Sequence, residues 1–317
     1  SDGGTIKVDK DAKLVVSSNL FNDGASAIET DGLINVDGEL TNSNSSVVKI
    51  TSAGKIVAAS NVINESSASY QIDGHLDING NWTNNGKESL ALAGGNTGTV
   101  EFSGAVAQNL GGSTPNTFEN VIINNPNSVV MANSDTITDA LTFSKGILNV
   151  GTNLLVITNT ANKIYGFDDT KYIFGKLRHH VTPSVNYNFP IGTADNLVLC
   201  GVRINSQKSL SYLDVSFTTP HSETVPGDLK VSGITVNNFL DKGYWTFTPN
   251  GGVTDISYSA TVQSKGHEDK KGSARNYSLI TDINSGDGWQ NLGNHSITTQ
   301  QYSPTTVLAK RQALTAF

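Results

Sequence analysis

Four carboxylates crowd one short stretch of the chain: Glu29, Asp31, Asp37 and Glu39. Paired carboxylates cleave glycosidic bonds, one as acid and the other as base or nucleophile, and polysaccharide-cleaving sites often add Ca²⁺ or a basic side chain. No Arg precedes Arg178, however, and the Asp-Gly pairs at 23–24, 31–32, 37–38 and 73–74 are the pairs that make turns. The expectation is that these acids are turn residues, with no catalytic residue among them.

Metal and cofactor chemistry finds little more. His179 and His180 are the only adjacent pair among six His, and neighbours on a strand point to opposite faces, so they cannot easily share an ion. The run Asn284-Ser285-Gly286-Asp287-Gly288 offers oxygens for Ca²⁺ but lacks an acidic anchor, and reads as a hairpin turn before Trp289. Gly94-Gly95 and Gly111-Gly112 are not set between a strand and a helix as phosphate loops are. Cys200 lies in the apolar run Leu197 to Val202 and reads as a buried, inert thiol; it has no second Cys with which to form an intrachain disulfide. The sequence therefore assigns no metal and no cofactor. Trp82, Trp245 and Trp289 can stack on sugar rings if exposed, or pack a core if not.

The elements that would carry these residues are strands. The 317 residues include 34 Asn and 31 Gly, charged residues make up only 15%, and no window shows a helical apolar stripe. A repeat of about 20–22 residues is visible in four columns. Asn22, Asn42, Asn64 and Asn84 close similar four-residue units; Leu14, Ile34, Ile56 and Leu76 open short apolar strands; Gly32, Gly54 and Gly74 keep the same step, as do Ile6, Ile28, Ile50 and Ile72. Short alternating strands at this period match the coils of a parallel β-solenoid, which buries its apolar face only by stacking. The recurrent Asn suits an inward turn where amides hydrogen-bond from coil to coil; the alternative is a solvated turn at each strand end. The predicted fold is all-β. A solenoid covers 1–160, a β-rich segment 161–225, and an immunoglobulin-like β-sandwich 226–317, with Thr219 to Gly227 as linker and strand-like runs including 243–247, 256–260, 277–280 and 305–309.

Several runs carry a resemblance. Leu141-Thr142-Phe143-Ser144-Lys145-Gly146, Tyr172 to Arg178, Phe189-Pro190-Ile191-Gly192-Thr193, Tyr244-Trp245, Gly288-Trp289 and Ala313 to Phe317 resemble segments of large secreted surface proteins of the Bacteroidetes. In that group such segments precede a sorting domain read by the type IX secretion system; here the sequence stops at Phe317 without one. The resemblance implies an extracellular or cell-surface protein, adhesive or structural, and carries no catalytic residues.

Charge narrows the partners. Residues 1–160 hold 7 Lys against 16 acids, and residues 161–317 hold 14 Lys plus Arg against 12 acids. An acidic first half disfavours nucleic acid and anionic membranes, and no apolar run is long enough for a transmembrane helix. The first strand, Thr5, Ile6, Lys7 and Val8, is the expected self-association edge, so the expected partner is a second copy, with cell-surface glycans as the alternative.

Overall fold

The computed structural model describes residues 3–86, 98–219, 224–240, 243–265, 277–283, 288–295, 301–303 and 306–317. Among them there is no helix. Two compact units emerge, one of residues 1–159 and 163–174, the other of residues 160–162 and 175–317.

The first unit is a parallel β-solenoid of about eight turns. Thr5–Val8, Lys13–Val16 and Leu20–Asn22 (β1–β3) make the first coil. Ala27–Thr30, Leu33–Val36 and Leu40–Asn42 (β4–β6) make the second, and Val47–Ile50, Lys55–Ala58 and Val62–Asn64 (β7–β9) the third. Ser69–Ile72, His75–Ile78 and Trp82–Asn84 (β10–β12) make the fourth. Each strand pairs in parallel with its counterpart one coil on. Less regular coils follow: Thr99–Phe102 (β13), Gln108–Gly111 (β14), Thr117–Asn124 (β15), Val129–Met131 (β16), Thr136–Lys145 (β17), Leu148–Ile157 (β18) and Ile164–Tyr165 (β19).

Alternation decides what is buried. Ile34, Ile56 and Leu76 point inward in one column, and Leu40, Val62 and Trp82 in another, each fully or almost fully shielded. Every such side chain contributes on the order of 2 kcal/mol. Farther along, Tyr70, Trp82, Phe118 and Phe102 meet edge to face at centroid distances of 5.3, 6.0 and 6.4 Å, the arrangement that ring quadrupoles favour.

One column differs from its sequence reading. Ile6 aligns with Ile28, but Ile28 aligns with Val48 and Val48 with Tyr70; Ile50 and Ile72 belong instead with Thr30 and Val8. The spacing from coil to coil is 22, then 20, then 22 residues, so a fixed period slips by two.

The second unit is antiparallel. Its strands are Ile173–His180 (β20, from Gly175 onward), Asn186–Gly192 (β21), Leu197–Lys208 (β22), Tyr212–Thr218 (β23), Lys230–Val231 (β24), Ile234–Thr235 (β25), Tyr244–Pro249 (β26), Thr254–Lys265 (β27), Asn294–His295 (β28), Gln301–Ser303 (β29) and Thr306–Leu314 (β30). One run of pairings is β21–β22–β27–β30 and another is β20–β23–β26. Strands from 161–225 thus share ladders with strands from 226–317. Tyr187, Phe189, Ile191, Cys200, Leu213 and Val215 are all buried. Asp214, itself buried, takes a two-pronged ion pair from Arg178 (2.6 and 3.0 Å), whose guanidinium lies 3.8 Å over the Tyr212 ring. The run Tyr277 to Ile280 is not a strand: the neighbouring Thr281–Gln290 contact is an isolated bridge.

Candidate functional site

The recurrent Asn side chains stack inside the solenoid. Asn22 Nδ2 donates to Asn42 Oδ1 at 2.8 Å, Asn42 Nδ2 to Asn64 Oδ1 at 3.0 Å, and Asn64 Nδ2 to Asn84 Oδ1 at 3.0 Å. All four residues are buried. The second amide hydrogen goes to Val47 O from Asn22, to Ser69 O from Asn42 and to Ala68 O from Asn64. Two residues after each of the first three, Gly24, Asn44 and Ser66 take positive φ (73°, 58° and 59°), which turns the chain so that the amide points inward. The row stops because Gly112 occupies the next place, its φ of 119° bringing it against the Asn84 backbone.

The first coil presents a different surface. Its strands β1, β2 and β3 pair only with β4, β5 and β6, leaving their outer edges without a partner among the described residues. Ile6, in an inward column, is still 39% exposed, and the outward Val15 and Phe21 are 51% and 65% exposed. Thr5 and Lys7 are exposed while Val8 is buried, and Lys7 Nζ lies 3.6 Å from Asp9 in a solvent-facing pair.

The candidate acids of the sequence do not converge. Glu29 pairs with Lys49 at 2.8 Å on the outer face of β4, and Asp31 accepts from the Thr51 hydroxyl. Asp37 lies in the turn after β5, and Glu39 accepts from Thr41 Oγ1 (3.2 Å) and Asn61 Nδ2 (3.3 Å). His179 is fully buried, its Nδ1 2.6 Å from His180 O, while His180 packs against Tyr212. Cys200 is buried, which raises its thiol pKa far above the ordinary value and keeps it inert. Residues 284–287 and Gly94-Gly95 lie outside the described residues.

The structure gathers three other groups. His75 and Asp77 leave the outer face of β11 two residues apart, and Glu101 on β13 is the register partner of Asp77. Ligand atoms of all three lie within 4.8 Å of one another, and His75 Nε2 is 3.0 Å from Glu101 Oε2. Sequence spacing hides this cluster, because the step from Asp77 to Glu101 is 24 residues rather than 20 or 22. His-x-Asp in an alternating strand was the available signal.

Trp82 is buried and donates through Nε1 to Asn116 Oδ1 at 2.8 Å, so it stacks on no sugar. Trp245 and Trp289 instead line an aromatic cavity of about 1030 Å³ in the second unit, together with Phe217, Phe239 and Tyr258.

No protein family, curated protein or solved structure matches the chain.

Proposed function

We propose that this protein is an extracellular structural or adhesive surface protein, non-catalytic, whose solenoid associates end to end with a second copy through its first coil. The observation that carries this reading is the pair of outward apolar side chains on the first described coil, Val15 and Phe21, exposed beside strands that pair on one side only among the described residues. Unpaired strand edges next to apolar side chains are the template on which another chain adds strands. The occupant is a second copy because the charge of the chain is uneven, with the first half acidic and the second half slightly basic. Unlike surfaces that meet without closing build a filament. The resemblance to type IX-exported Bacteroidetes proteins supports the extracellular setting.

Sedimentation in physiological salt tests it. The intact chain is expected to associate with rising concentration, and Val15→Lys with Phe21→Lys, both on outward positions, to abolish association without unfolding. A monomeric parent at high concentration, or association indifferent to both changes, would end the proposal.

A carbohydrate-binding module is the second reading, favoured by the Trp245 and Trp289 cavity. It requires glycan-dependent quenching of fluorescence that is lost in Trp289→Ala.

A further inference from the structure

We propose that His75, Asp77 and Glu101 form a binding site for a first-row divalent transition-metal ion of the zinc class on the outer face of the solenoid.

Like charges placed directly side by side on neighbouring strands repel, yet Asp77 and Glu101 are in register on adjacent coils. Each carboxylate is held from one side by a neutral donor. Asn124 Nδ2 donates to Glu101 Oε1 at 2.7 Å, and the Ser103 hydroxyl donates to Asp77 Oδ1. These contacts leave Glu101 Oε2 and Asp77 Oδ2 facing the third group and a cation. Neutral hydrogen bonds of this kind orient the carboxylates of metal sites.

His75 Nε2 completes the set. It is buried and lacks an aligned hydrogen-bond partner, although Glu101 Oε2 is 3.0 Å away. The contact is therefore close but badly directed for a hydrogen bond. It does fit two ligand atoms sharing one ion, which at metal–ligand distances of roughly 2.1 Å stand about 3.4 Å apart in a tetrahedral site. The three side chains are only 16–29% exposed, and both strands are fixed by parallel pairing on either side. One imidazole nitrogen with two carboxylates selects a zinc-class ion over Ca²⁺ or Mg²⁺, which prefer oxygen alone. Three protein ligands leave further positions open to solvent.

Lys55 is the internal competitor: its Nζ lies 3.4 Å from Asp77 Oδ2. An ion entering the site displaces it. This distinguishes a metal site from an ion-pair network, because removing Lys55 weakens a network and strengthens a metal site.

The test is titration calorimetry with Zn²⁺ on the tag-free intact chain, stripped with chelator. One zinc per chain is expected. Binding should be lost in His75→Ala and in Glu101→Gln, weakened about tenfold in Asn124→Ala, and tightened in Lys55→Gln, with excess Ca²⁺ failing to compete. Lys55 is partly exposed, so Lys55→Gln tests the proposal even if the other variants fold poorly. The proposal is overturned by no stoichiometric zinc binding, by zinc binding indifferent to His75, by equal competition from Ca²⁺, or by weaker binding in Lys55→Gln.

Discussion

Asn64 is an inner rung of the row, its Oδ1 accepting from Asn42 and its Nδ2 donating to Asn84, a pairing that the carboxamide's separate acceptor and donor ends allow. Truncating it removes one buried acceptor from Asn42, which keeps its bond to Ser69 O, and one buried donor from Asn84, which keeps the bond from Gly86 N. Asn64→Ala should lower stability by about 1–3 kcal/mol, read as a fall in the urea midpoint at unchanged slope. A midpoint equal to the parent's would mean the row contributes nothing. The ladder was legible in the sequence because identical residues recur at 20, 22 and 20. The His75, Asp77 and Glu101 cluster was not, because its members differ in type and its longer step to Glu101 breaks the period. Sequence spacing reveals chemistry only when a coil repeats the same residue.

At the scale of elements, the coil turns are set by close backbone approach. A Cβ on Gly54 would stand 2.1 Å from Thr30 O, and one on Gly74 2.2 Å from Thr51 O, so both turns pass too near the preceding coil for any side chain. Gly54→Ala should push the coils apart and cost about 1–3 kcal/mol. Gly251, with nothing within 4 Å, is the control and should tolerate Ala unchanged in thermal melts. The strands themselves were readable from alternation, and the Gly column held. The Ile column failed for a specific reason. A coil two residues shorter moves the register by two, and two is the strand period, so Ile50 and Ile72 still face inward in the wrong column. The repeat step was right for Ile6 and Ile28 and slipped at Ile50 and Ile72. Tyr277 to Ile280 failed differently: it is β-prone, but among the described residues no strand ladder runs along it, and a strand exists only in its ladder.

The two units carry buried titratable groups whose pH responses run in opposite directions. In the solenoid, Asp135 is almost fully buried. Its Oδ1 accepts from Asn116 N (2.7 Å) and Nδ2 (3.0 Å), while Oδ2 has no partner. Burial raises its pKa from 3.8 to about 6, against the lowering effect of the Asn116 bonds. The folded form holds a proton that the unfolded form releases, so this contribution is present below pH 3.8 and lost as pH rises through about 6. In the second unit, burial among Tyr187 and Phe189 lowers the His179 pKa from 6.5 to about 4. The folded form excludes a proton that the unfolded form takes up, so its contribution is present above pH 6.5 and lost as pH falls through about 4. Each shift corresponds to about 3 kcal/mol.

The indoles separate the two signals. Trp82 is in the solenoid and bonds to Asn116, the partner of Asp135, whereas Trp245 and Trp289 are in the second unit. With Trp245 and Trp289 replaced by Phe, the melting midpoint seen by Trp82 should fall between pH 4.5 and 6.5. With Trp82→Phe, the midpoint seen by the other two should rise over the same interval. Asp135→Asn should flatten the first slope alone, and His179→Phe the second alone. Slopes of the same sign in both units, or a solenoid slope that survives Asp135→Asn, would remove Asp135 as its cause.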